Sequence, residues 1–262
     1  MLKKASIEQM ADKLHHTRGI VLRTIKYGET SIITTIFTEL FGIQSYLVNG
    51  VRVSGKKSSG SANLFQPAAR LELVAYHNEL KQLQRLKEYK WAGLYQHLYT
   101  DVRKNAVSLY LIEMLTKCLR QPEANPSLYY FAEDALQQLD MCSDAVAANF
   151  PLFFATHLPV FFGFRLSAPR GAAAAGVQEI YADLQEGYFT TEPPGHPHYL
   201  QGKEAETLAE LLRVQHPAEL QELTLNQAFR RNMLAALEKF YALHIQDFGS
   251  LKTLPVLKAI LS

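Results

Sequence analysis

A basic loop rich in glycine and serine lies between two segments with the composition of β-strands, and it has the chemistry to bind phosphate. Residues 49–63 read NGVRVSGKKSSGSAN, with three evenly spaced glycines that free the backbone. Three cations, Arg52, Lys56 and Lys57, stand among serines whose small side chains let a charged polymer approach. We therefore predict contact with nucleic acid, with a solvated connector as the plainer alternative for such a loop.

The segments around this loop add cations and aromatic residues. The cations that we predict to contact nucleic acid with the loop are Arg18, Arg23, Lys26, Lys81 and Arg85. The aromatic residues interleaved with them are Tyr27, Tyr46, Phe65, Tyr76 and Tyr89. In an OB-type groove, cations hold phosphates while aromatic rings stack on bases. Because barrel aromatics also fill the core, we expect no more than two of these five rings to reach nucleic acid.

Alternating apolar residues predict the strands that must position these cations. The strand-like segments are residues 18–27, 31–38, 43–49, 65–76 and 83–89. They are separated by short turns such as Gly28-Glu29, and no long helical pattern interrupts them. This arrangement predicts a small closed five-stranded barrel of the OB type.

After Trp91 the period of the apolar residues changes from two to about 3.6, which is typical of helices. Helical patterns follow at residues 105–119, 125–141, 143–164, 203–215 and 226–248. The pair Asn125-Pro126 marks a helix start, because Asn caps a helix and Pro suits its first position. The predicted domains are an OB-fold nucleic-acid-binding domain at residues 1–90, whose residues 1–16 are an extension, and an all-α domain at residues 91–262 with an irregular segment at 165–200.

Charge is divided unevenly along the chain. Residues 1–90 contain 14 Lys and Arg against 7 Asp and Glu, a net charge of +7, whereas the remainder contains 13 against 18, a net charge of −5. A basic first third suits a module that holds a polyanion. The sequence shows no apolar run as long as a membrane helix and no signal peptide, so we expect a cytoplasmic protein without a membrane partner.

The common signatures of catalysis are missing from the sequence. It contains no GxxxxGK[ST], strand-linked GxGxxG, HExxH or GxSxG motif. Cys118 and Cys142 lack a CxxC spacing, and His196 and His198 stand in a Pro-rich stretch without a second ligand pair. We therefore expect no enzyme, no cofactor and no metal site.

Several segments of the sequence resemble the RecO family, the bacterial recombination mediators. The strongest resemblance is that of residues 17–34, TRGIVLRTIKYGETSIIT, to the opening of the family. The segments that agree farther along are Phe41-Gly42, the loop after Asn49-Gly50, residues 158–164 (LPVFFGF), residues 229–231 (FRR) and residues 241–244 (YALH). The resemblance extends over residues 14–260.

The resemblance implies an OB-fold followed by a helical domain, binding to single- and double-stranded DNA, annealing of complementary strands and no catalysis. It also implies two partners in the RecF pathway of repair and recombination, RecR and the C-terminal tail of the single-stranded DNA-binding protein, and a place with the nucleoid. That tail is acidic and apolar, so it needs an apolar groove with a cation at its rim. Lys117 and Arg120 are the candidate cations, with solvated helix-terminal charges as the alternative.

In one respect the sequence departs from the family. Many members carry a four-cysteine zinc module after the Gly-Phe segment, whereas residues 164–200 contain no cysteine. The comparison with that pattern therefore implies no structural zinc in this chain. Two other classes remain open, an RNA- or ribosome-binding OB protein and an enzyme with an unrecognised site in the helical half.

Overall fold

A computed structural model of the protein describes residues 13–51, 62–167 and 179–260. Its contacts form two compact units. The first combines Met1–Tyr95 with Leu119–Leu136, and the second combines Gln96–Cys118 with Gln137–Ser262. The predicted division at residue 90 stays a proposal about which parts of the chain fold independently.

In the first unit, the described residues form a closed five-stranded barrel, which confirms the predicted OB-type fold. Its strands are β1 (Lys13–Tyr27), β2 (Ser31–Thr38), β3 (Gly42–Val48), β4 (Arg70–His77) and β5 (Leu83–Trp91). The order around the barrel is β1-β2-β3-β5-β4, and β4 pairs back with β1 to close it. The β3–β5 pair is parallel and the other four pairs are antiparallel.

Alternation along the strands fills the barrel interior with apolar side chains. In β2 and β3, half-buried residues alternate with buried ones, as expected for strands with one face in a core. The inward side chains include Val21, Ile36, Tyr46 and Leu71, each at most 1% exposed. Burial of these large side chains is the main favourable contribution to the stability of the barrel.

The fourth strand begins later than the sequence pattern predicts. It starts at Arg70, whereas Ala62–Phe65 form a 3₁₀ turn. Pro67 has no N–H to donate to a strand neighbour, and Ala68 has a φ of 69°, so the backbone bends before it joins the sheet. The ring of Phe65 still enters the core and is 1% exposed. The predicted strand start at residue 65 is therefore wrong.

The described residues contain six α-helices, which confirms the predicted helical region. They are α1 (Val102–Cys118), α2 (Pro126–Met141), α3 (Asp144–His157), α4 (Gly202–Leu211), α5 (Gln227–His244) and α6 (Leu254–Ile260). The predicted cap is present, since Asn125 Oδ1 accepts the N–H of Leu128 at 3.0 Å. The stretch Asp144–Phe162 is long and apolar enough to cross a membrane, but 67% of it is buried within the protein, as in a core helix.

A small antiparallel sheet occupies part of the segment that the sequence predicts to be irregular. Its strands are β6 (Tyr181–Asp183), β7 (Tyr188–Thr190) and β8 (Tyr199–Gln201), in the order β7-β6-β8. The buried carboxylate of Asp183 accepts the N–H groups of Gln185 and Glu186 at 2.9 Å each, which closes the β6–β7 turn. Strands of three residues give too little alternation to be detected in a sequence.

Candidate nucleic-acid interface

The outer face of β1, β2, β3 and β5 combines cations with exposed aliphatic side chains. Two rows of paired residues cross it, one of Arg23, Thr35, Ser45 and Leu83 and one of Ile25, Ile33, Leu47 and Arg85. Residues that pair directly across strands present their side chains on the same side of a sheet. We call these two rows the outer face. Ile25 is 44% exposed and Leu83 is 39% exposed, so the face presents apolar surface between its two arginines.

The turn between β4 and β5 borders this face and carries Lys81. It is held by the side-chain amide of Gln84, which is 3% exposed. Gln84 Nε2 donates to the carbonyl oxygens of Asn78 at 2.8 Å and of Lys81 at 2.6 Å, while its Oε1 accepts the N–H of Asn78 at 3.1 Å. Because these three bonds already order the backbone at Lys81, binding of a ligand there costs little further backbone entropy.

Two cavities adjoin the β4–β5 turn. The smaller has a volume of about 330 Å³ and is lined by Leu47, Tyr76 and Arg85, among others. The larger has a volume of about 480 Å³ and lies between β3, the turn and residues 120–122. Lys81 and Gln84 line both cavities, so the two are neighbours at this turn, and we call them together the turn groove.

Arg18, the first of the predicted cations, is engaged within the first unit. Its Nε lies 3.2 Å from Glu39 Oε2 and its Nη1 lies 3.1 Å from Glu133 Oε2. The guanidinium also stands over the rings of Tyr129 and Tyr130, at 5.7 and 5.3 Å from their centroids. Burial opposes its charge, but the two carboxylates outweigh burial and raise the pKa of Arg18. Any DNA phosphate would therefore compete with two carboxylates for this side chain.

The other predicted barrel cations are distributed over both sides of β1. Lys26 is exposed and pairs with Ile32, whose side chain is 5% exposed in the barrel core, so Lys26 projects from the opposite side of the strand to Arg23. Arg23, Lys81 and Arg85 are all exposed. The three cations of the basic loop lie outside the described residues: Arg52, Lys56 and Lys57.

The two cations predicted to hold a partner's tail belong to different units. Lys117 is in the second unit, where its Nζ donates to the carbonyl oxygen of Phe248 and lies 5.2 Å from the centroid of that ring. Arg120 is in the first unit, where it is exposed and lines the larger cavity of the turn groove. Their joint role in tail binding stays a prediction.

Burial separates the five aromatic candidates. Tyr46 and Phe65 are in the barrel core, and Tyr89 packs on Phe65 with ring centroids 4.8 Å apart. Burial raises the pKa of Tyr46. Tyr27 is 53% exposed, Tyr76 is half-buried and lines the smaller cavity, and Tyr89 is also half-buried, so three of the five rings have some access to the surface. Sequence reasoning missed Gln84 and Leu47, because a polar residue that braces a turn and an aliphatic residue that faces outward leave no recognisable signal.

The described residues contain no group of three or more His, Cys, Asp or Glu side chains that could hold a metal ion. His196, a weak candidate ligand, has its Nε2 3.2 Å from Asp183 Oδ2, and its Nδ1 accepts the N–H of His198 at 3.2 Å. These contacts give His196 a structural role in tying the Pro-rich stretch to the small sheet. The expectation that the protein holds no zinc stays a prediction, which metal analysis of the purified chain would test.

A pair of histidines stands beside the turn between β2 and β3. The ring of His77 stacks on Phe41 with centroids 3.9 Å apart, and His15 meets Phe41 edge-on at 5.1 Å. Burial, and then the nearby His15, lower the pKa of His77 from the usual 6.5, against the opposing effect of Glu79. Protonated His77 is therefore less favourable in the folded chain than in the unfolded chain.

We expect the free energy of unfolding to fall as the pH is lowered from 7.5 to 5.5. The pKa of His77 is lower in the folded chain than in the unfolded chain, where it is about 6.5. Above pH 6.5 the histidine is neutral in both states and has no effect on stability. Below about pH 6.5 the unfolded chain binds the proton more readily than the folded chain, so the free energy of unfolding falls. Urea unfolding at several pH values measures this slope. His77→Gln should reduce this slope. An undiminished slope in His77→Gln would contradict this assignment.

The fold and its surface define a class, a closed OB-type barrel with a cationic outer face followed by a helical unit. Models of the family regions "Recombination protein O N terminal" and "Recombination protein O C terminal" match residues 10–95 and 99–255. The chain therefore belongs to the RecO family, whose members act in DNA repair and recombination.

Individual relatives agree over nearly the whole chain. The chain is 33% identical over 248 residues to the DNA repair protein RecO of Christiangramia forsetii, an alignment that covers 94% of this chain and 99% of the relative. It is 34% identical to the protein of the same name from Bacteroides fragilis, with the same coverage. The corresponding protein of Flavobacterium johnsoniae is 31% identical, with 94% of this chain and 98% of the relative covered.

Proposed function

We propose that this protein is a mediator of the RecF pathway that binds single- and double-stranded DNA and anneals complementary strands. With RecR, it helps to load recombinase on DNA coated by the single-stranded DNA-binding protein, in the cytoplasm and at the nucleoid, and it catalyses no reaction itself. The observation that carries the proposal is the location of Arg23 and Arg85 on one outer face of an OB-type barrel, beside the braced turn of Lys81. Family membership supports the cellular role.

The chemistry of the outer face suits annealing. Arg23 and Arg85 can hold phosphates, while Ile25 and Leu47 offer apolar surface to the faces of bases. Contacts of this kind do not use the hydrogen-bonding edges of the bases. A strand held by its phosphates therefore keeps those edges available for pairing with a complementary strand.

The two partners are proposed because the chain belongs to the RecO family. The single-stranded DNA-binding protein would dock its acidic tail on residues 91–262, with Lys117 as the candidate cation, since Arg120 lies in the first unit with the barrel. Lys117 already contacts the Phe248 carbonyl, so a tail carboxylate would have to share or replace that contact. RecR is proposed as the second partner, without an assigned surface.

We expect the double variant Arg23→Ala/Arg85→Ala to bind single-stranded DNA about tenfold more weakly at moderate salt, since each arginine supplies a charged contact. The magnitude of the salt slope should fall by about 1.4, which corresponds to two lost phosphate contacts at roughly 0.7 each. The loss should be similar for different base sequences. Fluorescence anisotropy titrations at several salt concentrations measure both quantities.

The matched control is Lys90→Ala, which removes an exposed β5 cation held in an ion pair with Glu72 at 2.8 Å. It should leave the slope unchanged, and circular dichroism should show all variants folded.

The triple variant Arg52→Ala/Lys56→Ala/Lys57→Ala, measured in the same way, tests the basic loop and should lower the slope by about 2. An unchanged slope in the folded double variant would move the DNA site away from the outer face.

Annealing on coated strands tests the function itself. The wild type should accelerate pairing of complementary DNA strands that are precoated with the single-stranded DNA-binding protein, and Arg23→Ala/Arg85→Ala should reduce that acceleration about tenfold, in parallel with affinity. Fluorescence resonance energy transfer between labelled strands gives the rate. Preferential pairing of RNA strands of the same sequence would favour the alternative, an RNA- or ribosome-binding OB protein.

A further inference from the structure

We propose that Arg120 and the β4–β5 turn form a subsite for one unstacked nucleotide of single-stranded DNA, in the larger cavity of the turn groove. The proposal rests on the DNA binding proposed above and adds to it the residue and the cavity that distinguish single strands from duplex. Arg120 is thereby assigned to the nucleic-acid surface of the barrel. This assignment differs from the prediction made from the sequence, in which Arg120, at the end of a helical pattern, contacts a partner's tail.

The backbone of the barrel fixes the position of the segment that carries Arg120. Gly42, the first residue of β3, has a φ of +62°, and a Cβ at this position would lie 2.1 Å from the carbonyl oxygen of Glu123. The chain at Glu123 is thus in direct backbone contact with the start of β3. Pro122 and Arg120, just before it, line the cavity together with Ile43, the residue after Gly42. A segment that follows α1 in the sequence therefore forms one wall of a cavity on the outside of the barrel.

The charges that line the cavity favour a nucleotide. Lys81, on the braced turn, and Arg120, on the segment after α1, both line the cavity, and Glu79 is the single carboxylate among its described lining residues. Two cations around one cavity suit a phosphate, and Arg can bind it with two parallel hydrogen bonds. A carboxylate in the same cavity can accept hydrogen bonds from the exocyclic amino group of a base.

The uncharged lining suits the remainder of a nucleotide. Gln82 and Ser45 offer amide and hydroxyl groups that both donate and accept hydrogen bonds, so they can meet the edges of different bases, whereas Asn78 Oδ1 already accepts the N–H of Leu80 at 3.0 Å. Ile43 and Pro122 offer apolar surface to the face of the base. A volume of about 480 Å³ is within the range of roughly 300–1,000 Å³ typical of small-ligand sites.

The same chemistry makes the subsite selective for single strands. A base in a duplex is paired and stacked, and it enters a cavity only after an unstacking cost of a few kcal/mol, whereas a base in a single strand is nearly free to do so. The cavity shares Lys81 and Gln84 with the smaller cavity beside Arg85. A strand that crosses the outer face can therefore continue into the turn groove.

The first test is Arg120→Ala in the full chain. Its affinity for single-stranded DNA should fall about fivefold and its salt slope by about 0.7, as for the loss of one phosphate contact. Its affinity for duplex DNA of the same sequence should stay within about twofold. Lys90→Ala again serves as the control and should change neither affinity.

The second test fills the cavity without changing charge. Gln82 is an exposed residue that lines this cavity and lies outside the two rows of the outer face, and Gln82→Phe places a ring at the cavity. Binding of single-stranded DNA should weaken about fivefold while duplex binding is retained. A measurement on the wild type uses a DNA strand that contains 2-aminopurine. The fluorescence of this base should increase when it unstacks into the cavity. Arg120→Ala should reduce that increase.

The outcomes separate this proposal from the one on which it rests. If Arg120→Ala binds single strands like the wild type while Arg23→Ala/Arg85→Ala is weakened, the subsite is wrong and the proposed function stands. If Arg120→Ala weakens single-strand and duplex binding equally, Arg120 is a general phosphate contact and the nucleotide subsite is overturned. If the wild type binds no single-stranded DNA, both proposals fail.

Discussion

Gly42→Ala is expected to lower the free energy of unfolding by about 3 kcal/mol or more, because it combines a backbone cost with a steric one. The φ of +62° is in the left-handed region, where a residue with a Cβ is less stable by about 1–2 kcal/mol. In addition, the new methyl group would lie 2.1 Å from the carbonyl oxygen of Glu123. That oxygen belongs to the backbone and cannot rotate away, so β3 or the segment at Glu123 must shift.

The matched control for this prediction is Gly28→Ala in the β1–β2 turn. Gly28 has nearly the same φ, +60°, but a Cβ there would meet none of the described atoms within 4 Å. Its cost should be that of the backbone alone, about 1 kcal/mol. Urea unfolding followed by circular dichroism measures both variants. Equal losses would show that the close approach of Glu123 contributes nothing to stability.

Replacement of Asp140 should have an effect of similar size in the second unit. The carboxylate of Asp140, which is 5% exposed, accepts the N–H groups of Gln96, His97 and Leu98 at 2.9, 2.8 and 2.7 Å. The Nζ of the buried Lys104 donates to its carbonyl oxygen at 2.7 Å. Asp140→Ala should lower the free energy of unfolding by about 3 kcal/mol, since three backbone donors lose a charged acceptor.

The pH dependence of Asp140 provides an independent check. Burial by itself would raise the pKa of this carboxyl, but the three backbone N–H donors outweigh burial and lower it. The ionised form therefore stabilises the fold at neutral pH, and that contribution is lost as the pH falls below about 4 towards the folded pKa. Asp140→Asn should remove this part of the acid dependence.

The control on the same helix is Asp134→Ala, because Asp134 is exposed in α2. It should change the free energy of unfolding by no more than about 0.5 kcal/mol. Thermal and urea unfolding of the three variants give the comparison. A loss in Asp140→Ala as small as that in Asp134→Ala would mean that solvent replaces the carboxylate without cost.

Features that depend on neighbours in the sequence were predictable. β2 spans Ser31–Thr38, as the alternation predicts, since one face of the strand is buried and the other is not. The cap at Asn125 was predictable because it joins residues only three apart. The late start of β4 was not, because it depends on the backbone bend at Ala68, and the sequence offers an alternating pattern through that bend.

The sequence by itself determined the barrel, the helical region, the family and the excess of cations in the first 90 residues, because each follows from local periodicity, composition or short motifs. Only the tertiary structure decided which groups lie beside each cation of the chain. Arg18 is drawn to two carboxylates, one of them 115 positions away in the chain, whereas Arg120 joins Lys81 because the backbone of Glu123 packs on Gly42. Contacts between residues so far apart depend on how elements pack, and no local pattern encodes them.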